Sequence, residues 1–465
     1  MKKKEVFPEE DSKRTLQEDS IMQSSLKQKA LNVSIKEGEA SSFSGAVGET
    51  YITPFILALK ADSLYVGIFS AISGLIAPLS QLFGDKLMEK HSRKKIVRAF
   101  ILAQALIWIC IVSLAYLLWQ GVSGEVLVIY LLVFYVLFAA FGGIIHPTWF
   151  SWMGDLVPDK ERGRYFSKRN RITGFLALIG ALAGAFVLDI FETKGYASLG
   201  FLVLFSFALI FRFISFLYIN KQYEPVFKLE KDYYFSIWSF LKRLDNYGKF
   251  AVFHAFFNFA LMIASPFFAV YMLEELEFSY ITFMIVTMSS SAFYLVFTPI
   301  VGKFSDKYGN RKLFIFGCIL FGLNPLLWIF IKNPVALVFV PQVIVGLANA
   351  AFVLAVSNFT YDSANQQHRA LCTTYTNILA GFGIFFGSLI GGYLLKYFPE
   401  TIANSFVIVF ALSAVLRLGV SIFFASKIHE VKKVKKLPPM HIKFIHPFKT
   451  LHAEIGWIKK VMKED

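Results

Sequence analysis

The chain has 465 residues, 56% of them hydrophobic and only 17% charged, with a mean hydropathy of +0.56. A soluble protein of this length would form two or three domains with roughly a quarter of its residues charged, so these values exclude a soluble globular fold. The net charge of +15 does not imply nucleic acid, because the Lys and Arg fall in alternate loops between apolar blocks.

The first ten residues, Met-Lys-Lys-Lys-Glu-Val-Phe-Pro-Glu-Glu, lead into no apolar core. They read as a cytoplasmic tail and not as a cleaved signal peptide. Residues 1–38 are mixed-charge, with an expectation of disorder or of lying at the membrane surface. Twelve apolar spans follow, each about long enough to cross a ~30 Å hydrocarbon core. Six lie near 40–59, 63–83, 96–118, 125–150, 172–191 and 198–219, a bundle over 39–219. A charged connector covers 220–249. Six more lie near 250–273, 279–301, 313–331, 335–358, 373–395 and 404–426, a bundle over 250–426. Residues 427–465 form a basic tail. One set of alternate loops, with both ends of the chain, holds 41 of the 47 Lys and Arg. The other set holds only Lys60, Lys194, Lys332 and Lys396, while Arg212 and Arg417 lie inside spans near their cytoplasmic ends, where they are expected to snorkel. The asymmetry predicts an all-α polytopic membrane protein with both termini cytoplasmic, in the plasma membrane, its basic face on an anionic inner leaflet.

The two halves repeat. Asp85, Glu89, Lys90, Ser92, Arg93, Lys94 and Lys95 sit between spans two and three. A second polar loop, 217 residues on, carries Gly302, Asp306, Lys307, Gly309, Arg311 and Lys312, with Asn310 among them. Asp155, Arg162, Asn170, Gly174, Gly180 and Gly184 recur at an offset of 207 as Asp362, Arg369, Asn377, Gly381, Gly387 and Gly391. Two pseudo-symmetric six-helix bundles follow, related by an axis along the membrane normal. The glycines read as close helix packing. Cys110, Cys318 and Cys372 are scattered among apolar residues, with no disulfide or metal pattern, and nothing in the chain implies a cofactor, a nucleotide-binding loop or an enzyme.

With these motifs the chain resembles the major facilitator superfamily of secondary transporters, over residues 40–426. That family's loop signature, Gly-x-x-x-Asp-Arg/Lys-x-Gly-Arg-Arg/Lys, is matched better by the second copy, where Asn310 departs, than by the first, where Asp85, Glu89 and Ser92 depart. The resemblance implies alternating access through a cavity between the halves. Pseudo-symmetry then places Glu89 by Arg369 and Asp306 by Arg169 and Arg171, a pair of cytoplasmic gate latches in which each acid meets a helix start.

Glu49 is the sharpest candidate inside the apolar segments. A mid-bilayer charge costs about 2.5–3.5 kcal/mol on insertion scales, so it faces protein or a wet cavity. At 100° per residue, Ser41, Ser42, Ser44, Gly45, Gly48, Glu49 and Thr53 share an arc opposite Phe43, Ala46 and Val47. A carboxyl held part-way out of water is a candidate proton or cation site; the alternative is a structural acid paired with a neighbouring span. His146, beside Pro147, is a candidate relay, with helix-end packing as its alternative. On span seven, His254 and Asn258 lie one turn apart above a bend at Pro266. Phe448, Leu451, Ile455, Ile458 and Met462 suggest a membrane-surface helix in the tail. The expected function is proton-coupled movement of a small solute by a monomer, with an uncoupled facilitator or a transporter-like receptor as alternatives.

Overall fold

The computed structural model describes residues 8–158, 161–225, 237–242, 245–363, 369–398 and 404–430. Its secondary structure is helical throughout these residues, and the chain divides into two compact units. One comprises residues 1–231 with 279–281, the other residues 232–278 with 282–465.

The first unit opens on α1 (Pro8–Val47), a helix of 40 residues. Proline suits a first helical position. The region expected to be a loose tail is therefore helical from Pro8 and continuous with the first span. Its inner end is packed: Ala30 and Leu31 join a buried cluster with Val97, Trp152, Leu156 and Ile219. The Tyr165 hydroxyl donates to the Leu31 carbonyl at 3.1 Å. The helix stops at Gly48, turns through a short 3-10 segment (Glu49–Tyr51) and resumes as α2 (Ile52–Ala58). The first span is thus broken where a continuous helix is expected. Glycine is required at the break, since a Cβ on Gly48 would lie 2.5 Å from the Trp108 ring and 2.8 Å from Ala208.

Next come α3 (Ser63–Met88), α4 (Arg93–Trp119), α5 (Gly124–Leu156), α6 (Arg162–Thr193) and α7 (Ala197–Lys221). In this unit α1 packs on α6 and α7, α3 on α5, and α4 on α5 and α7. Glycines set two of these approaches: Gly180 lies under Phe43 and Ala46, and Gly184 under the Tyr51 ring, whose hydroxyl donates to the Ala181 carbonyl. Gly174 faces open space.

The second unit holds α8 (Ile237–Leu241), α9 (Asn246–Met262), α10 (Phe267–Val270), a π turn (Tyr271–Glu275), α11 (Tyr280–Tyr308), α12 (Asn310–Phe330), α13 (Pro334–Phe339), α14 (Pro341–Ser363), α15 (Arg369–Tyr397) and α16 (Ser405–Ala425). Span seven breaks after Met262, with Pro266 capping α10. Span ten is interrupted at Val340, where Pro341 brings no backbone N–H to continue the helical hydrogen bonding. Here α9 packs on α15 and α16, and α12 on α14 and α16. Along α15, Gly383, Gly387 and Gly391 lie against the Ala255, Phe259 and Ile263 carbonyls.

Eleven helical segments among the described residues are long and apolar enough to cross a membrane, and the broken first span is not among them. Large apolar side chains stay exposed on the helices, Ile422 at 73% and Phe186 at 58%, as a hydrocarbon surrounding allows. The protein is a multi-pass helical membrane protein.

Candidate functional site

A cavity of about 560 Å³ is lined by side chains of the first unit. Glu37 and Ser41 reach it from α1, Glu49 from the 3-10 turn, Ser73 and Gln81 from α3, and Gln104 from α4. Tyr135, Phe138, His146 and Trp149 come from α5, Arg169 from α6 and Arg212 from α7. Six helices and the break in the first span thus bring two acids and two arginines to one wall.

The four charges differ in how they are held. Arg169 donates to Glu37 at 3.3 Å and stacks over the Trp149 ring at 4.4 Å. Ser215 donates to the other Glu37 oxygen at 2.9 Å, so this acid is fully engaged. A Cβ on Gly38 would collide with the Arg169 guanidinium, so glycine is what admits it. Arg212, only 9% exposed, donates to Ser41 Oγ at 2.7 Å and to Gln104 Oε1. Gln104 is itself pinned by its amide donating to the Phe138 carbonyl at 2.8 Å. Among the described residues no carboxylate is in ion-pair contact with Arg212. Glu49 is exposed, and among the described residues nothing hydrogen-bonds its carboxylate.

Arg212 and its counterpart Arg417 do not snorkel. Arg417 is 1% exposed and donates to the Phe321 and Leu261 carbonyls at 2.9 and 2.8 Å, and to Ser265 Oγ at 3.4 Å. Each arginine sits on the last long helix of its unit and reaches the first and third spans of that unit. Burial is favoured because each fork satisfies polar groups on two neighbouring helices at once.

Of the residues singled out in the sequence, Glu49 and His146 line the cavity, and Gly45 lies one turn before Glu49. Ser42 faces α6, donating to the Thr173 carbonyl at 2.6 Å, and Thr53 is half-buried on α2. His254 and Asn258 belong to the second unit. The His254 ring stacks on Phe250 and Phe352, and the Asn258 amide donates to the His254 carbonyl of its own helix at 2.8 Å. Glu37, Gln104 and Arg212 also line the cavity, which their positions in the sequence do not announce. The available signal for Glu37 is the spacing Glu37, Ser41, Gly45, Glu49, one polar face running upstream past the apolar boundary.

In the loop motifs, Glu89 and Lys90 are exposed and Lys94 half-buried, whereas Arg93 is fully buried. Arg93 donates to Asp155 Oδ2 at 2.7 Å and to the Ser151 carbonyl and hydroxyl at 3.1 and 3.2 Å. It therefore staples the start of α4 to the end of α5 inside one unit. At the equivalent place in the second unit, Asn310 accepts from Ser305 at 2.5 Å and from Asn358 at 3.0 Å. Asn358 is the repeat mate of Ser151, which explains why the motif departs at Asn310. Gly302 is half-buried with open space beside it, and Lys307 lies 5.7 Å from the Tyr308 ring. Gly309 has φ +97°, a left-handed conformation that glycine alone adopts freely. Arg311 donates its backbone N–H to Glu430 at 2.8 Å and its guanidinium to the Ala425 carbonyl, and Lys312 is half-buried. Arg162 donates to the Gly154 carbonyl, Arg169 is engaged with Glu37, and Arg171 is exposed. The side chains of Asp306, Asp362 and Arg369, and residues 448–462 of the tail, lie outside the described residues.

Comparison with known proteins agrees with this architecture. Multidrug resistance protein 2 of Bacillus subtilis is 23% identical over 131 residues, 28% of this chain and about a third (32%) of that relative's length. Multidrug resistance protein MdtG of Escherichia coli is 22% identical over 314 residues, covering 66% of this chain and 72% of that protein. Among solved structures, a variant of the nucleoside transporter NupG superposes with a TM-score of 0.65 at 15% identity, covering 85% of this chain and all (100%) of that one. A D-xylose–proton symporter superposes with a TM-score of 0.63 at 15% identity, covering 88% and 99%. These two likenesses are of fold. The profile described as Major Facilitator Superfamily matches residues 40–261 and 250–458, and the chain belongs to that superfamily.

Proposed function

We propose that this protein is a secondary active transporter that moves a small solute across the membrane by alternating access, coupled to protons through Glu49. The observation that carries the reading is an unpartnered carboxylate at a helix break, exposed on the wall of a polar cavity. The names of relatives point the same way: multidrug resistance proteins by sequence and a proton symporter by fold. The chain acts as a transporter, not an enzyme, in the plasma membrane with both termini in the cytoplasm and its basic loops on an anionic leaflet, as a monomer. The two polar loops act as gates, and Asp306→Asn is expected to slow transport at least as much as Glu89→Gln.

The test is flux into proteoliposomes under an imposed pH gradient, with a panel of small polar and amphiphilic solutes. Accumulation driven by the gradient, and lost in Glu49→Gln with downhill flux retained, is the expected result. Flux indifferent to the gradient would make the protein a facilitator, and no flux for any solute would leave a receptor.

A further inference from the structure

We propose that the solute carries an anionic group, a carboxylate or its chemical equivalent, which binds at Arg212 and Ser41 and replaces ionised Glu49 as the counter-charge there. The inference rests on the proton-coupled reading above and names the solute class for the same cavity.

Charge balance is the first argument. Glu37 and Arg169 neutralise each other at 3.3 Å. That leaves Arg212, which stays protonated in any protein environment, and Glu49, which has no partner among the described residues. With Glu49 ionised the four charges cancel; with Glu49 protonated the wall carries one uncompensated positive charge. The other titratable groups on the wall, His146 and Tyr135 of α5, add no negative charge near neutral pH.

Donor supply is the second. A guanidinium has five N–H groups, and among the described residues Arg212 directs donors to two partners, Ser41 and Gln104. Its Nε is buried without a partner. Ser41 Oγ accepts from Arg212, so its own hydroxyl proton is left to donate into the cavity. Gln104, locked by the Phe138 carbonyl, holds the guanidinium in place. An arginine held by neutral partners beside a free hydroxyl suits an oxyanion. A cationic solute would gain Glu49 alone and meet Arg212 as a repelling charge. The volume, about 560 Å³, suits a small organic acid.

One positive charge with two alternative counter-ions is also a coupling device. Solute anion and Glu49 carboxylate oppose each other, so bound solute favours protonated Glu49 and protonated Glu49 favours bound solute, by the same factor. One proton enters with each anion, and the loaded cavity is neutral.

The full-length chain in phosphatidylcholine nanodiscs would be tested by thermal shift and calorimetry against small mono- and dicarboxylates, each paired with its neutral amide and a matched amine. At least one carboxylate is expected to bind, its amide and amine not. Its affinity should fall about tenfold per pH unit on the alkaline side of Glu49 titration, the slope for one proton per solute. Glu49→Gln should bind the same carboxylate with no such slope. Arg212→Gln should lose binding; Arg212→Lys, which keeps the charge without the fork, and Ser41→Ala, which keeps the arginine, should each weaken it several-fold. Binding of amines only, or of nothing in the panel, overturns the inference, as does carboxylate binding unaltered in both Arg212→Lys and Ser41→Ala. Carboxylate binding abolished by adding phosphatidylglycerol would give the site to a lipid headgroup and also overturn it. Gradient-driven uptake of an amine would sink this inference and leave the proposed transport standing. A carboxylate that binds but is never accumulated would do the reverse.

Discussion

Arg93 shows how much a single buried cation can hold. It is fully buried, while Asp155 at 2.7 Å is 47% exposed and Glu224 at 3.8 Å is 15% exposed. Removing the cation leaves the Ser151 carbonyl and hydroxyl without their donor and opens a void, whereas neutralising Asp155 breaks a partly screened pair. Arg93→Ala should therefore destabilise by roughly 3 kcal/mol and Asp155→Asn by about 1 kcal/mol or less, read as melting shifts of the purified protein. Equal shifts would show that the ion pair, not the buried network, carries the staple. Asn310→Leu should cost about 1 kcal/mol by removing the acceptor that Ser305 and Asn358 share, the 3.2 Å bond from Asn358 to Ser305 Oγ being kept. None of this is visible in the sequence, where Arg93 is one of several basic residues in a positive loop. The buried one differs only in standing at the first helical position of α4, against the end of α5.

Among the elements, the spans were legible because a run of about twenty apolar residues is a local property. Their breaks were not. Gly48 is an ordinary helix residue until Trp108 and Ala208 approach it, and only the folded unit supplies those neighbours. Pro266 and Pro341 were better clues, since proline restricts its own backbone and brings no backbone N–H. The glycines sort the same way. Gly48→Ala and Gly391→Ala should each cost about 1–3 kcal/mol by overpacking, the second because α15 would be pushed off the Ile263 carbonyl. Gly174→Ala has open space and should be neutral or slightly stabilising. Thermal unfolding of the three purified variants checks the contrast, and a large loss in Gly174→Ala would contradict it.

At the scale of the whole molecule, the repeat was legible and its chemical inequality was not. Both units carry a buried arginine on their last long helix, Arg212 and Arg417, at matching places. The polar cavity, however, belongs to the first unit, where Glu37, Glu49 and Arg169 have no charged counterparts on the equivalent spans of the second. For a related reason hydropathy starts the first span near residue 40, while burial on α1 reaches back to Leu31, only 6% exposed. Leu31→Asp should place a charge among Val97, Trp152 and Leu156 and lower the melting temperature sharply, with loss of transport. A stable, active variant would show that this stretch of α1 leaves the cluster without consequence.

The interrupted first span also bears on how the protein is made. Cut short at Val47 and carrying Glu49, it falls outside the set of segments apolar enough to cross a bilayer by themselves. Its ties are to residues synthesised much later: Tyr51 to Ala181, Ser44 to Ala208, Ser41 to Arg212. A ribosome-bound chain ending before α6 lacks all three. Contacts with Val97, Trp108 and Trp152 form earlier, but these three bonds wait for α6 and α7, so charge-changing substitutions at Arg212 should raise the fraction of misintegrated N-terminal ends, read by accessibility of a tag on the first residues.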